Sequence, residues 1–181
     1  IITEQAVAKI NMLHAIILSY GGIPMIYSGD EIATVNDYSF LKDAKHKNDN
    51  RWVHRPKLDW NVVENLKTLN NHQSEVFFTL KKLIALRKTL PILADANNVA
   101  LEDCPNMHIL AFMRWSFSED NLLVLNNFND RLELVDAWWL HKIGFEVKAG
   151  ITNLITGKPL KLTEDDKLEL QPYEFMWLRK G

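Results

Sequence analysis

The sequence changes character at Pro91, and that change limits the fold more than any other feature. Before it, apolar residues recur at helical spacing. After it come short β-prone runs: "VALEDC", "HILAFMRWS", "NLLVLNNF", "LELVD", "GITNLITG" and "YEFMWLRK". Turn residues separate them at Pro105-Asn106, Glu119-Asp120-Asn121, Asn129-Asp130, Gly157-Lys158-Pro159 and Asp165-Asp166. Runs of this length and spacing predict an antiparallel β-sandwich over 93–181. The chain has 181 residues, 47% of them apolar, which is enough for one ordinary domain with a sizeable core, or one and a half small ones.

Residues 3–20, "TEQAVAKINMLHAIILSY", predict a helix with Thr3 as N-cap. Its expected buried stripe is Val7, Ile10, Leu13 or His14, and Ile17. Gly21 and Gly22 should stop it, because glycine accepts the left-handed C-terminal conformation. "IPMIYS" (23–28) is apolar at both parities, as a central strand of a parallel sheet would be. Helix, glycine stop and buried strand make half of a β/α unit. Residues 74–88 predict a second long helix, with Ser74 as cap, Phe77, Leu80 and Ile84 in line, and Leu90-Pro91 as its end. Between them, 29–60 is rich in charge and amide, and a short helix is expected near 61–69. A connection that long in a compact domain is usually functional or disordered. The two Trp and the Pro of "RWVHRPKLDW" favour an ordered, functional loop.

Net charge is −2 with no one-signed region, so neither nucleic acid nor an anionic membrane is an expected partner. The longest apolar run, "AIILSY", is too short to span a bilayer. Cys104 is the only cysteine, which excludes an intrachain disulfide and a two-cysteine metal site. The N-terminus lacks a basic n-region, so no signal peptide is expected and a cytoplasmic location is favoured. The abrupt start at a helix suggests a processed chain or a piece of a longer one.

The stretch "GIPMIYSGDE" (22–31) resembles the eighth strand of the (β/α)8 (TIM) barrel in the alpha-amylase family of glycoside hydrolases, matching it at Gly22, Pro24, Gly29 and Glu31. "NDYSFLKDAKHKNDNRWVHRP" (36–56) is similar to amylosucrases, in which Asn-Asp-Tyr follows the strand and Arg-Trp-x-His-Arg-Pro ends the loop. "AVAKINMLHAIILSYGG" resembles their seventh barrel helix, and "LELQPYEFMWL" their C-terminal β-domain. The resemblance implies an α+β chain: the last helix–strand–loop–helix of a barrel over 1–92, then the sandwich over 93–181. It also implies that the nucleophile, the acid/base and a third carboxylate follow strands four, five and seven, outside this chain. No catalytic residue is therefore expected here, and no organic cofactor.

Arg51 is the candidate substrate-binding residue. From the residues alone it is a loop arginine, solvated or paired with Asp49. The resemblance implies instead that it lines the base of a glucose pocket, where a planar fork can fix a carboxylate and sugar hydroxyls together. Asp30 and Glu31 are adjacent and should diverge, whereas retaining glycosidases need two carboxyl groups about 5–5.5 Å apart. The resemblance gives Glu31 a scaffold role. His46 and His54 fit no common zinc spacing and read as loop packing. His14 and Cys104 read as core residues. Trp138-Trp139 could form a sugar platform, but sandwich core and interdomain packing are favoured.

The implied parent enzyme cleaves sucrose with retention, releases fructose, and passes glucose to an α-glucan or to water. A sucrose hydrolase or α-glucosidase is the alternative within enzymes. A non-catalytic carbohydrate-binding or interaction module is the alternative from another class. Residues 1–30, cut from a barrel, are expected to self-associate, repack or become disordered.

Overall fold

A computed structural model describes residues 2–69, 71–117 and 120–180. The chain forms two compact units, Ile1–Met25 with Leu80–Gly181, and Ile26–Thr79.

The larger unit is built on an antiparallel sheet. Its strands are β1 (Val99–Glu102), β2 (Ile109–Arg114), β3 (Leu122–Asn127), β5 (Ile151–Asn153), β6 (Lys158–Pro159) and β8 (Phe175–Lys180), in the order β1-β2-β3-β8-β5-β6. A separate ribbon pairs β4 (Glu133–Asp136) with β7 (Lys167–Leu170). Each β-prone run read from the sequence contains a strand, and every pairing is antiparallel. Strands β6 and β7 are additional. The turn expected at 119–121 lies partly outside the described residues, because Glu119 is not among them.

Both faces of the sheet are covered, which is why every residue of β3 is buried. One face presents Ala111, Leu123, Leu125, Met176 and Leu178 to a core completed by Val135, Leu168 and Leu170 of the ribbon, with Trp139 and Leu140 of helix α4 (Ala137–Lys142). The other presents Phe112, Leu122, Val124 and Trp177 to Ala15 and Leu18 of helix α1 (Ile2–Ser19), and to Leu80 and Leu83. The ribbon and α4 thus take the place of a full second sheet. Leu80 and Leu83 belong to helix α3 (His72–Lys88).

The helices form where expected, but their details differ. Thr3 lies inside α1 instead of capping it. The buried stripe of α1 is Val7, Met12, Ala15 and Leu18, while Leu13 and Ile17 are exposed. Ala15 and Leu18 pack on the sheet core, and Leu13 and Ile17 fall on the opposite side of the helix. Gly21 and Gly22 do end α1, both at positive φ. A Cβ on Gly21 would stand 3.0 Å from the Ala96 carbonyl oxygen, so glycine also permits that approach. In α3 the cap is Asn71, whose Oδ1 accepts from the Ser74 backbone N–H at 3.0 Å. Ser74 instead donates its hydroxyl to the Leu66 carbonyl. Val76, Leu80 and Leu83 are the buried apolar residues of α3, not the line Phe77–Leu80–Ile84.

The expected strand 23–28 is absent. Ile23 is 91% and Met25 81% exposed. A strand needs neighbours to satisfy its backbone groups and to bury alternate side chains, and nothing among the described residues pairs with this stretch. The barrel part of the expected fold is therefore not formed as a strand-based element.

The smaller unit carries three single-turn 3₁₀ helices at Asp30–Ile32, Ser39–Lys42 and Asn50–His54, then α2 (Trp60–Asn65) and the start of α3. Helix α2 is shorter than the expected 61–69. No helix among the described residues is long and apolar enough to cross a membrane.

Candidate functional site

The loop after "GIPMIYSGDE" is ordered by its own polar side chains. Gly29 has φ +104° and donates its N–H to Glu31 Oε2 at 2.7 Å. Glu31 therefore closes the turn from which it springs, while Asp30, and not Glu31, is among the residues that line a neighbouring cleft. The Asp37 N–H donates to the Val53 carbonyl at 3.0 Å, tying together the two limbs of the loop. His54 Nδ1 lies 3.2 Å from Asn36 Oδ1.

Arg51 sits in the third 3₁₀ turn. Asp49 caps that turn, accepting the Arg51 backbone N–H at 3.1 Å. The same carboxylate accepts Nε and Nη2 of Arg51, both at 2.8 Å. This fork holds the Asp49 pKa down to about 2 and raises that of Arg51. Asp43 is also lowered, first by the Lys45 backbone N–H and then by His46, which lies 2.6 Å away. The His46 ring stacks at 4.1 Å on Trp52, so its place is loop packing.

Arg51 lines a cleft of about 470 Å³ with Tyr27, Asp30, Asn36, His54 and Arg55. The local reading of Arg51, paired with Asp49, and its position beside a cleft therefore coexist. Asn36 and Arg55 were missed as individual residues, although both lie in the motif-like stretches 36–38 and 51–56. The cleft offers guanidinium, imidazole, amide and carboxylate groups, which suit a ligand rich in hydroxyls or bearing an anion. No group of three or more His, Cys, Asp or Glu among the described residues could hold a metal.

His14 is buried on α1. Cys104 is partly buried against the sheet core, and burial pushes its thiol pKa up. Trp139 fills the core, as expected, and donates Nε1–H to the Asp103 carbonyl at 2.9 Å. Trp138 is 58% exposed.

No protein-family model matches the chain. Glucosylglycerate phosphorylase of Escherichia coli (strain K12) is 26% identical over 179 residues, which is 97% of this chain and 29% of that protein. AmyP in complex with maltose superposes with TM-score 0.69 at 17% identity, covering 96% of this chain and 34% of that one. Bacillus licheniformis trehalose-6-phosphate hydrolase (TreA) gives TM-score 0.61 at 19% identity, covering 96% and 39%. The chain thus spans roughly a third of the length of the proteins that it matches. These likenesses support the alpha-amylase-family resemblance. They do not single out amylosucrase.

Proposed function

We propose that the chain is the C-terminal part of an alpha-amylase-family enzyme that transfers glucosyl groups with retention. The observation that carries this reading is its likeness, along 97% of its length, to a glucosylglycerate phosphorylase. In the finer reading the parent is amylosucrase-like and acts on sucrose and α-glucans. Residues 1–92 then belong to the end of the barrel and 93–181 to the β-domain. The catalytic carboxylates belong to sequence outside this chain, so the 181 residues alone turn over no sugar. Arg51 holds the glucosyl unit through its planar donors, beside Asp30, Asn36 and His54 in the cleft. A sucrose hydrolase or α-glucosidase would use the same residues with water as acceptor.

A second reading is favoured by the phosphorylase relative and by the cleft itself. Arg51, Arg55 and His54 all line it, and guanidinium forks suit a phosphate. The glucosyl group would then pass to orthophosphate, giving glucose 1-phosphate. In either case residues 1–30 self-associate when the chain stands alone.

The deciding experiment expresses the whole reading frame and offers it sucrose or glucosylglycerate, with and without phosphate. Fructose release with α-glucan formation supports the amylosucrase-like reading. Phosphate-dependent glucose 1-phosphate supports the second. Release of free glucose alone indicates the hydrolase. Inactivity toward all glucosides, with glycan binding retained, would defeat the enzyme reading in favour of a binding module.

A further inference from the structure

Trp138 lies beside one of the best-buried residues of the sheet core, yet its own indole stays open to solvent. It does not stand on a flat surface. It lines a cleft of about 480 Å³ together with Asp136, His141, Glu146, Asp165 and Asp166. The walls are tied to one another. The Ala137 N–H donates to the Asp166 carbonyl at 2.9 Å, joining the start of α4 to the turn before β7. Lys167 Nζ meets Asp136 Oδ1 at 2.7 Å, in the last register pair of the ribbon. His141 Nδ1 lies 3.2 Å from Glu146 Oε1 and bridges the third side. A preformed cleft with one aromatic face and several convergent polar groups is the usual form of a small-molecule site.

The charges narrow the ligand. Among the lining groups, Asp136, Glu146, Asp165 and Asp166 outnumber the basic Lys148 and His141, which disfavours an anion. A cation is disfavoured as well. Asp136 and Glu146 already have basic partners, and the Lys142 charge, 5.9 Å from the Trp138 ring centroid, repels a second cation at that ring, a penalty that a neutral ligand does not meet. What remains is a neutral ligand that has an apolar face for the indole and hydroxyl donors for the carboxylates. A pyranose ring has both, since its C–H groups gather on its faces and its hydroxyls around its rim.

We propose that the Trp138 cleft is a glycan-binding site. It uses none of the residues that line the Arg51 cleft, and it stands or falls independently of the glucosyl-transfer reading. Trp138 supplies the stacking face, and Asp165 and Asp166, which make no close ion pair among the described residues, accept from sugar hydroxyls.

The test is titration of the 181-residue chain with maltoheptaose and, separately, cellohexaose, following the indole N–H signal of Trp138 by NMR. A saturable shift with at least one glycan is expected, with affinity the same at low and high salt because the ligand is neutral. Trp138→Ala should weaken binding at least tenfold with circular dichroism unchanged, and Trp138→Phe should retain part of it. The proposal is overturned if neither glycan gives a saturable shift, or if binding survives Trp138→Ala intact. It is equally overturned if tetramethylammonium binds where neither glycan does.

Discussion

Arg114 Nη1 donates to the Ser19 carbonyl oxygen at 2.7 Å, joining strand β2 to the last residue of α1 across 95 positions of sequence. The guanidinium is fully buried. It also reaches Asn98 Oδ1 from Nε at 2.8 Å, and the Ile92 and Asp95 carbonyls from Nη2. Arg87 donates to the neighbouring Leu18 carbonyl and to the Leu93 carbonyl. Two cations therefore meet the negative end of the α1 dipole, where they satisfy carbonyls that no further helical turn can reach. Burial lowers the pKa of Arg114, and Arg87 adds to that lowering, so the arrangement demands residues that stay charged when dry.

Replacement of Arg114 should be among the most destabilising changes in the chain. Each buried acceptor left without a donor costs about 1–3 kcal/mol. Arg114→Met takes its donor from the Ser19 and Asp95 carbonyls and from Asn98 Oδ1, and should lower the urea midpoint sharply. Arg114→Lys should recover only part, since an ammonium cannot fork to Ser19, Asn98 and Asp95 together. A midpoint for Arg114→Met within error of the unchanged chain would show that water replaces the arginine.

The adjacent tryptophans should behave oppositely. Trp139→Ala empties the sheet core and should cost about 3–5 kcal/mol. Trp139→Phe mainly loses the bond to the Asp103 carbonyl, worth about 1 kcal/mol. Trp138→Ala should stay within about 0.5 kcal/mol, because its side chain is largely wet. Urea unfolding of the three variants checks the order.

This contrast also marks how far the sequence could be read. The strands were legible because β-branched and aromatic runs between turn residues have few other outcomes. The helix ends at Gly21-Gly22 and Leu90-Pro91 were legible for similarly local reasons. The faces of α1 and α3 were not, because which residue is buried depends on what lies opposite. In α1 that choice fell to Ala15, which a count of large apolar residues overlooks. Strand 23–28 failed for a non-local reason too, since a strand needs neighbours and none among the described residues pairs with it. Of the Arg51 site, the pairing with Asp49 was legible as a two-residue relationship. The other residues of the cleft needed the folded loop to bring them together.

The Asp49–Arg51 fork should give the loop an acid limit. An unfolded aspartate titrates near 3.9, whereas Asp49 here is held at about 2. Because the folded pKa is the lower one, the fork's contribution is fully present above about pH 4 and fades as pH falls toward about 2. The Arg51 Nε–H signal should therefore hold its NMR position at neutral pH and move only in that window. In Asp49→Asn the movement should vanish. A transition near pH 4 in the unchanged chain would mean that the fork is not populated.

In the whole protein, Arg51→Ala should remove a charge-assisted contact worth roughly 1.5–3 kcal/mol. At about 1.4 kcal/mol per tenfold, kcat/KM for the glucosyl donor should fall by about ten- to a hundredfold or more. Arg51→Lys should rescue only partly. Asp49→Asn leaves the guanidinium in place without its local partner, so it should cost less than Arg51→Ala. Wild-type kinetics in both arginine variants would make Arg51 a surface residue held by Asp49 alone.

The exposed apolar stretch at the end of α1 should drive association of the isolated chain. Leu13 and Ile17 are exposed on the helix, Tyr20 is exposed just past its end, and Ile23 and Met25 follow almost bare. Ile23 and Met25 each forgo about 1.5–3 kcal/mol by staying wet, and exposed apolar side chains close together in sequence favour contact with another copy over solvent. Tyr20 packs its ring edge-on against Phe112 of the sheet core, but Ile23 and Met25 are 91% and 81% exposed, so polar substitution of these two should leave the fold intact. Ile23→Asp with Met25→Lys is then a clean probe: the unchanged chain should sediment above monomer mass as concentration rises, and the double variant should remain monomeric with the same urea midpoint. An unchanged chain that stays monomeric over the same range would show that this stretch tolerates water, and the self-association proposal would fail with it.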